Sequence, residues 1–350
     1  MGCFDVLRLL AAFMVVFSHS YALTGRDAEE PFVKLAGVGC GEVAVYIFFA
    51  ISGYLITLSW QRDPHLGRFM WKRFLRIFPA LVVVIVGSFA VIGPLNTSLD
   101  VSDYFSRREA WSYLGKAFIY PTQIGLPDVF SKNPYPYAVN GSLWTLRLEF
   151  SLYLVTAALG MVGAISKRGI YALLAPFCVV ASFIITHTTL ATHVPYLHQV
   201  KALFDNSAPF FVGGALSRIE LGAKLPRLAA GLLVLILLIA SAPIFKPLLL
   251  LALPVVVLSI ALCWSINLSR NLGDVSYGVY LWAFPIQQTL IKFFPWLTPM
   301  QLFATATVAA ATLATLSWHL VEKRMLTLKS FSVPGECGET VAARDKSGHA

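Results

Sequence analysis

Residues 1–25 read MGCFDVLRLLAAFMVVFSHSYALTG. The run from about residue 5 to residue 23 approaches the ~20 apolar residues a helix needs to cross ~30 Å of hydrocarbon. It nevertheless carries Asp5, Arg8 and His19, and ionisable groups within a bilayer are costly, face the bundle interior and mark functional sites by default. Arg8 and His19 are eleven positions apart, about three turns plus 20°, so both side chains leave the helix on nearly one face, roughly 16 Å apart along its axis. Asp5 lies one turn before Arg8 and can pair with it. Two plainer readings stand beside the functional one: an interfacial Asp5–Arg8 pair with Arg8 snorkelling to lipid phosphates, and a His19 held inside the bundle by a neighbouring hydroxyl.

The rest of the chain has the same character. Of its 350 residues 57% are hydrophobic and only 13% charged, with a mean hydropathy of +0.71, against ~25% charged in an ordinary soluble domain. The pattern predicts an all-α, polytopic integral membrane protein of about ten transmembrane helices, near residues 5–23, 41–60, 77–95, 142–163, 169–187, 202–219, 227–242, 245–266, 274–294 and 301–320. Pro209 and Pro243 interrupt or end the sixth and seventh. Most of the 27 Lys and Arg then fall on the side shared by both termini, which the positive-inside rule makes cytoplasmic. Topology therefore absorbs most of the net charge of +9 and weakens the reading of a nucleic-acid partner; the expected partner is the lipid bilayer, with no nucleic acid.

Residues 1–325 form one transmembrane domain in this reading, with a long outer loop at about 96–141, and residues 326–350 are polar, aperiodic and read as a disordered cytoplasmic tail. The N-terminal run resembles a cleavable leader in outline, but Arg8 within it argues that it is retained. The five cysteines, at 3, 40, 178, 263 and 337, have neither metal-ligand spacing nor a disulfide pattern, and no metal is expected.

Further polar groups sit inside or beside apolar runs. Glu149 has Tyr153 one turn later and Trp144 at the outer edge of the same span. A carboxylate there needs a partner, either an arginine of another span or a group in the site, and it can orient His19 or a hydroxyl acceptor from across the bundle. Lys72 to Arg76 is i,i+4 and Arg73 to Arg76 is i,i+3, which places a basic ridge where the third span begins. Ser52-Gly53-Tyr54 reads as a small-residue packing site. Tyr277 and Tyr280 belong to a cavity lining or to aromatic packing.

Five ordered blocks resemble the membrane-bound acyltransferase-3 family, polysaccharide and sugar O-acetyltransferases among them. They are FDVLRLLAAFMVVFSHS with Arg8 and His19, GEVAVYIFFAISGYLIT, FMWKRFLRIFPAL, NGSLWTLRLEFSLYL and LGDVSYGVYLWAFPIQQ, spread over about residues 4–325. The resemblance implies transfer of an acyl group, acetyl by default, from cytoplasmic acyl-CoA, with acetyl-CoA as donor substrate and no bound cofactor. The acceptor is a sugar hydroxyl, in a cell-surface polysaccharide or its lipid-linked precursor, in the bacterial inner (cytoplasmic) membrane. It assigns His19, Arg8 and Glu149 to catalysis and Asp5, Arg73, Arg76, Ser52, Tyr153, Trp144 and Tyr277 to donor or substrate binding. The chemistry fits these residue types: a neutral imidazole serves as a base near pH 7, as a relay or as a transient acyl carrier, while a guanidinium stays cationic and suits phosphates. The sequence departs from the family pattern at Ala283, where some relatives carry a histidine, and at Arg324, where a proline often follows. The competing reading is a secondary transporter or flippase using the same intramembrane charges as a relay; the apparent absence of internal repeats counts against it.

Overall fold

The computed structural model describes residues 3–119, 125–166, 169–188, 197–218, 225–240, 242, 244–263 and 274–330. Among these residues every regular element is helical. Ten helices overlap in sequence with the stretches expected to span: α1 Phe4–Leu23, α2 Cys40–Arg62, α3 Leu66–Asn96, α4 Trp144–Met161, α5 Ile170–His187, α6 Leu197–Leu216, α7 Leu225–Leu238, α8 Phe245–Cys263, α9 Ser276–Phe293 and α10 Pro299–Leu326.

Six of them, α1, α2, α3, α5, α8 and α10, are long and apolar enough by themselves to cross a membrane. The others fall short for identifiable reasons. α7 is short, while α4, α6 and α9 carry Arg147 and Glu149, Lys201 and Asp205, and Gln287 and Gln288 within otherwise apolar sequence. The third helix starts eleven residues before the expected 77, because Leu66–Arg76 continues it through the basic ridge. α6 runs through Pro209. α3 and α10 each contain a π turn, Ser88–Ile92 and Trp318–Glu322, a local widening that recurs at functional sites. Of the tail, residues 331–350 lie outside the described residues.

α1 packs against α2, α9 and α10, and α2 packs in turn against α6 and α8. The α2–α6 approach depends on glycine on both sides. A Cβ on Gly53 would stand 1.9 Å from the Phe210 carbonyl oxygen, and one on Gly213 would stand 2.2 Å from that of Ala50, so the two backbones touch as small-residue membrane interfaces do. The packing reading of Ser52-Gly53-Tyr54 holds for Gly53.

α9 is buried without a break from Gly278 to Gln288, as expected of a helix apolar on every side. Both of its buried amide nitrogens are matched, as is the Gln288 oxygen, while Gln287 Oε1 has no partner among the described residues. Gln287 Nε2 donates to the Val16 carbonyl at 2.8 Å and to Ser20 Oγ at 2.7 Å, which fixes the register of α1. Gln288 Nε2 donates to the Tyr135 and Ala138 carbonyls at 2.7 and 3.0 Å, and its Oε1 accepts from Asn133 Nδ2 at 2.8 Å. The long loop is thereby fastened onto α9, and its short helices Val101–Ser106 and Arg108–Ile119 lie beside α3, where Tyr104 donates to the Phe89 carbonyl at 2.8 Å.

Candidate functional site

Two cavities open along the bundle, and the expected site residues divide between them. The larger, of about 740 Å³, is lined by α1, α2, α3, α4 and α9 and holds Asp5, Arg8, Ser52, Arg73, Arg76, Glu149, Tyr153 and Tyr277. The smaller, of about 380 Å³, holds His19 and Trp144. Val45 of α2 and Tyr280 of α9 line both and form the wall between them. The Tyr280 hydroxyl is fixed there, 2.6 Å from Thr145 Oγ1 and donating to the Ser142 carbonyl at 2.7 Å.

The larger cavity is electropositive. Arg8, Arg62, Lys72, Arg73 and Arg76 face three lining carboxylates, Asp5, Asp63 and Glu149. Asp63, in the α2–α3 turn, binds Lys72 Nζ at 2.7 Å and Arg68 NH2 at 2.8 Å. Those hydrogen bonds, Arg68's first, hold its carboxyl well below the usual carboxylate range. Arg73 reaches Ser59 Oγ at 3.3 Å and lies 5.7 Å over the Phe69 ring, while its buried Nε has no hydrogen-bond partner among the described residues. Part of its donor capacity is therefore open to a ligand. Tyr277 donates to the Ile77 carbonyl at 3.2 Å and so ties α9 to α3 beside the ridge.

Two sequence expectations about partners are corrected here. Arg8 pairs with Asp274 Oδ2 at 3.9 Å, not with Asp5, and Asp274 also binds Arg76 and accepts from Ser276 Oγ at 2.6 Å. One carboxylate beyond the start of α9 thus clamps the guanidiniums of α1 and α3, and Asp5 only lines the cavity. Glu149 does not reach His19: its Oε1 accepts from Ser52 Oγ at 3.1 Å and from the Tyr153 hydroxyl, in the other cavity. Arg8 and His19 line different cavities, which share Val45 and Tyr280.

In the smaller cavity His19 has its ring edge-to-face with Phe284, centroids 5.2 Å apart, and its buried Nδ1 has no hydrogen-bond partner among the described residues. Among the described residues no hydroxyl holds this nitrogen, although the structural reading of this histidine requires one. Around it stand Glu42, Tyr46, Ser142, Trp144, Lys201, Asp205, Asn206 and Lys246. The sequence reading passed over Asp274 and, Trp144 apart, this polar group, and it left Tyr280 between cavity lining and aromatic packing. The available signals were Asp274 as the acidic residue of LGDVSYGVY, and Lys201 and Asp205 at i,i+4 across the start of the expected span 202–219.

A basic cavity abutting a histidine cavity suits the transfer of a group from an anionic donor, and the comparisons with known proteins specify which transfer. A family profile described as an acyltransferase domain matches residues 1–319. The chain is 33% identical to an O-acetyl transferase of Shigella phage Sf6, over 94% of this chain and 97% of that protein. It is 27% identical to nodulation protein 10 of Rhizobium leguminosarum bv. viciae, over 93% and 94% of the two chains. No solved structure matches. The chain belongs to the acyltransferase-3 family, and it is an acyltransferase with several apolar helices of membrane-spanning length.

Proposed function

We propose that this chain spans the bacterial inner membrane ten times, with both termini in the cytoplasm. There it transfers an acetyl group from cytoplasmic acetyl-CoA to a sugar hydroxyl of a cell-surface polysaccharide or its lipid-linked precursor. The observation that carries the reading is the pairing of the two cavities: a basic chamber with five cationic side chains on one side of the Val45–Tyr280 wall, and His19 with an unpartnered ring nitrogen on the other. The Arg8 end of α1 and the α3 ridge lie on the side that charge bias makes cytoplasmic. The O-acetyl transferase of phage Sf6, similar along nearly the whole chain, supports the acetyl group and the hydroxyl acceptor.

In this account Arg62, Lys72 and Arg73 hold the phosphates of the donor. Its extended arm runs past Ser52, Glu149 and Tyr153 toward Tyr280. That arm suits the geometry, since Arg8 and His19 are roughly 16 Å apart along one helix. The thioester carbonyl arrives at the wall, and the acceptor hydroxyl attacks it from the His19 side. The C–S bond breaks as the C–O ester bond forms; His19 takes the hydroxyl proton and passes it to the departing sulfur, which leaves as the free thiol. Arg8, held by Asp274, stays cationic beside the donor and takes no part in proton transfer.

The test uses membranes containing the full chain and acetyl-CoA labelled in the acetyl group. Label is expected to enter glycan with the wild type and to be lost with His19→Ala and Arg8→Ala. Movement of unmodified glycan across the membrane, with no label transferred by the wild type, would sink the proposal in favour of a transporter.

A further inference from the structure

The smaller cavity contains more chemistry than proton transfer requires. Lys246 pairs with Glu42 and with Asp205 Oδ2 at 3.1 Å, and Lys201 Nζ reaches the same Asp205 oxygen at 2.8 Å. Tyr46 donates to Glu42 at 2.6 Å, and Ser182 donates to Asp205. Two lysines and two carboxylates thus saturate one another, and the chamber offers a ligand no uncompensated formal charge. An acidic ligand would have to be desolvated there without a free cation to receive it.

Three neutral polar atoms of the same lining are unsatisfied. Asn206 Oδ1, Ser142 Oγ and His19 Nδ1 are each buried, and none has a hydrogen-bond partner among the described residues. Asn206 and Ser142 are 4% and 1% exposed, and buried polar atoms left unpaired in a native protein call for an occupant. The Asn206 amide is oriented by its own nitrogen, which donates to the Ala202 carbonyl at 2.7 Å, so the end left over is the acceptor oxygen. The three atoms come from α6, the turn before α4, and α1. Trp144 adds an indole, an apolar face of the kind that packs on the C–H face of a pyranose.

We infer that this chamber is the acceptor site and that it selects an uncharged, hydroxyl-rich sugar ring over an acidic one, with Asn206 and Ser142 as the recognition groups. The assignment rests on the acyl-transfer reading for its direction but makes a separate claim about binding.

The test uses purified full-length protein in lipid nanodiscs, with methyl glucopyranoside and methyl glucuronide as probes and ligand-observed NMR as the readout, alongside acetyl-CoA binding to the same samples. The neutral glycoside is expected to bind at least tenfold tighter than the acidic one. Asn206→Leu and the milder Ser142→Ala are each expected to weaken it about tenfold while acetyl-CoA binding is retained, which shows that the fold is intact. Equal or tighter binding of the glucuronide, or neutral-sugar binding unchanged in both variants, overturns the inference. If the binding pattern holds but no acetyl group is ever transferred, the acyl-transfer reading fails and the sugar site stands.

Discussion

Replacing Asp274 with Asn tests the clamp most sharply. The carboxylate joins Arg8 at 3.9 Å, Arg76 and Ser276 at 2.6 Å, with side-chain exposures of 17% for Arg8, 24% for Arg76 and 12% for Asp274. An amide keeps the shape and loses the charge, leaving two guanidiniums near each other without a counter-ion. Removing one partner of a buried pair costs roughly 3–5 kcal/mol. The partial exposure of all three groups lowers that, and a loss of about 2–3 kcal/mol is expected.

Cys3, Cys40 and Cys178 are buried and unbridged while Cys263 is exposed, so the rise in labelling by a thiol-reactive dye above the Cys263 background during a thermal ramp in detergent reports unfolding. Asp274→Asn is expected to unfold several degrees below the wild type. The double variant Asp274→Asn with Arg76→Gln should recover part of the loss, because it removes one of the two stranded cations, with a coupling of about 0.5–3 kcal/mol. An unchanged midpoint in the single variant, or strictly additive losses in the double, would refute the clamp.

Other perturbations probe the remaining elements. Gly53→Ala forces a Cβ to within 1.9 Å of the Phe210 carbonyl and should cost at least the 1–3 kcal/mol typical of overpacking, read as a lower unfolding midpoint. Glu149→Gln keeps an acceptor oxygen for Ser52 and Tyr153 and should be mild. Glu149→Ala strands both hydroxyls, at about 1–3 kcal/mol for each buried group left unpaired, and should raise the KM for acetyl-CoA more than the amide does. The depressed carboxyl of Asp63 contributes its full stabilisation above its unfolded-state pKa and loses it progressively as pH falls from there through the lower folded value. Asp63 therefore stays ionised through the usual carboxylate range, so acetyl-CoA binding should show no pH dependence from it there, while Asp63→Asn should weaken binding at neutral pH because Lys72 loses the partner that positions it.

The course of α1 and the shared face of Arg8 and His19 were legible because helical phase is a local property. What stands between the two residues was not: Val45 and Tyr280 come from α2 and α9, and no spacing within α1 announces them. The partner of Arg8 was misread for the same reason, since Asp5 is three positions away while Asp274 is near only after α9 packs on α1. The basic ridge was legible as charge at i,i+3 and i,i+4, as was the Glu149–Tyr153 contact at i,i+4. The cluster around Asp205 was not, because it joins α2, α5, α6 and α8, and a lysine and an aspartate in one weak span look like a defect in hydropathy until Glu42 and Lys246 arrive from elsewhere.

The central claim is a division of labour, with the donor held on the Arg8 side of the wall and proton chemistry done by His19 on the other. The most direct measurement takes the wild type and His19→Gln in the same nanodiscs, and follows acetyl-CoA affinity and the acetyl label transferred to acceptor in a single turnover. The account predicts an unchanged donor affinity in His19→Gln with transfer reduced by at least the 10²–10⁴-fold typical of losing a general base. Transfer at the wild-type rate by His19→Gln, or loss of donor binding in step with transfer, would contradict it.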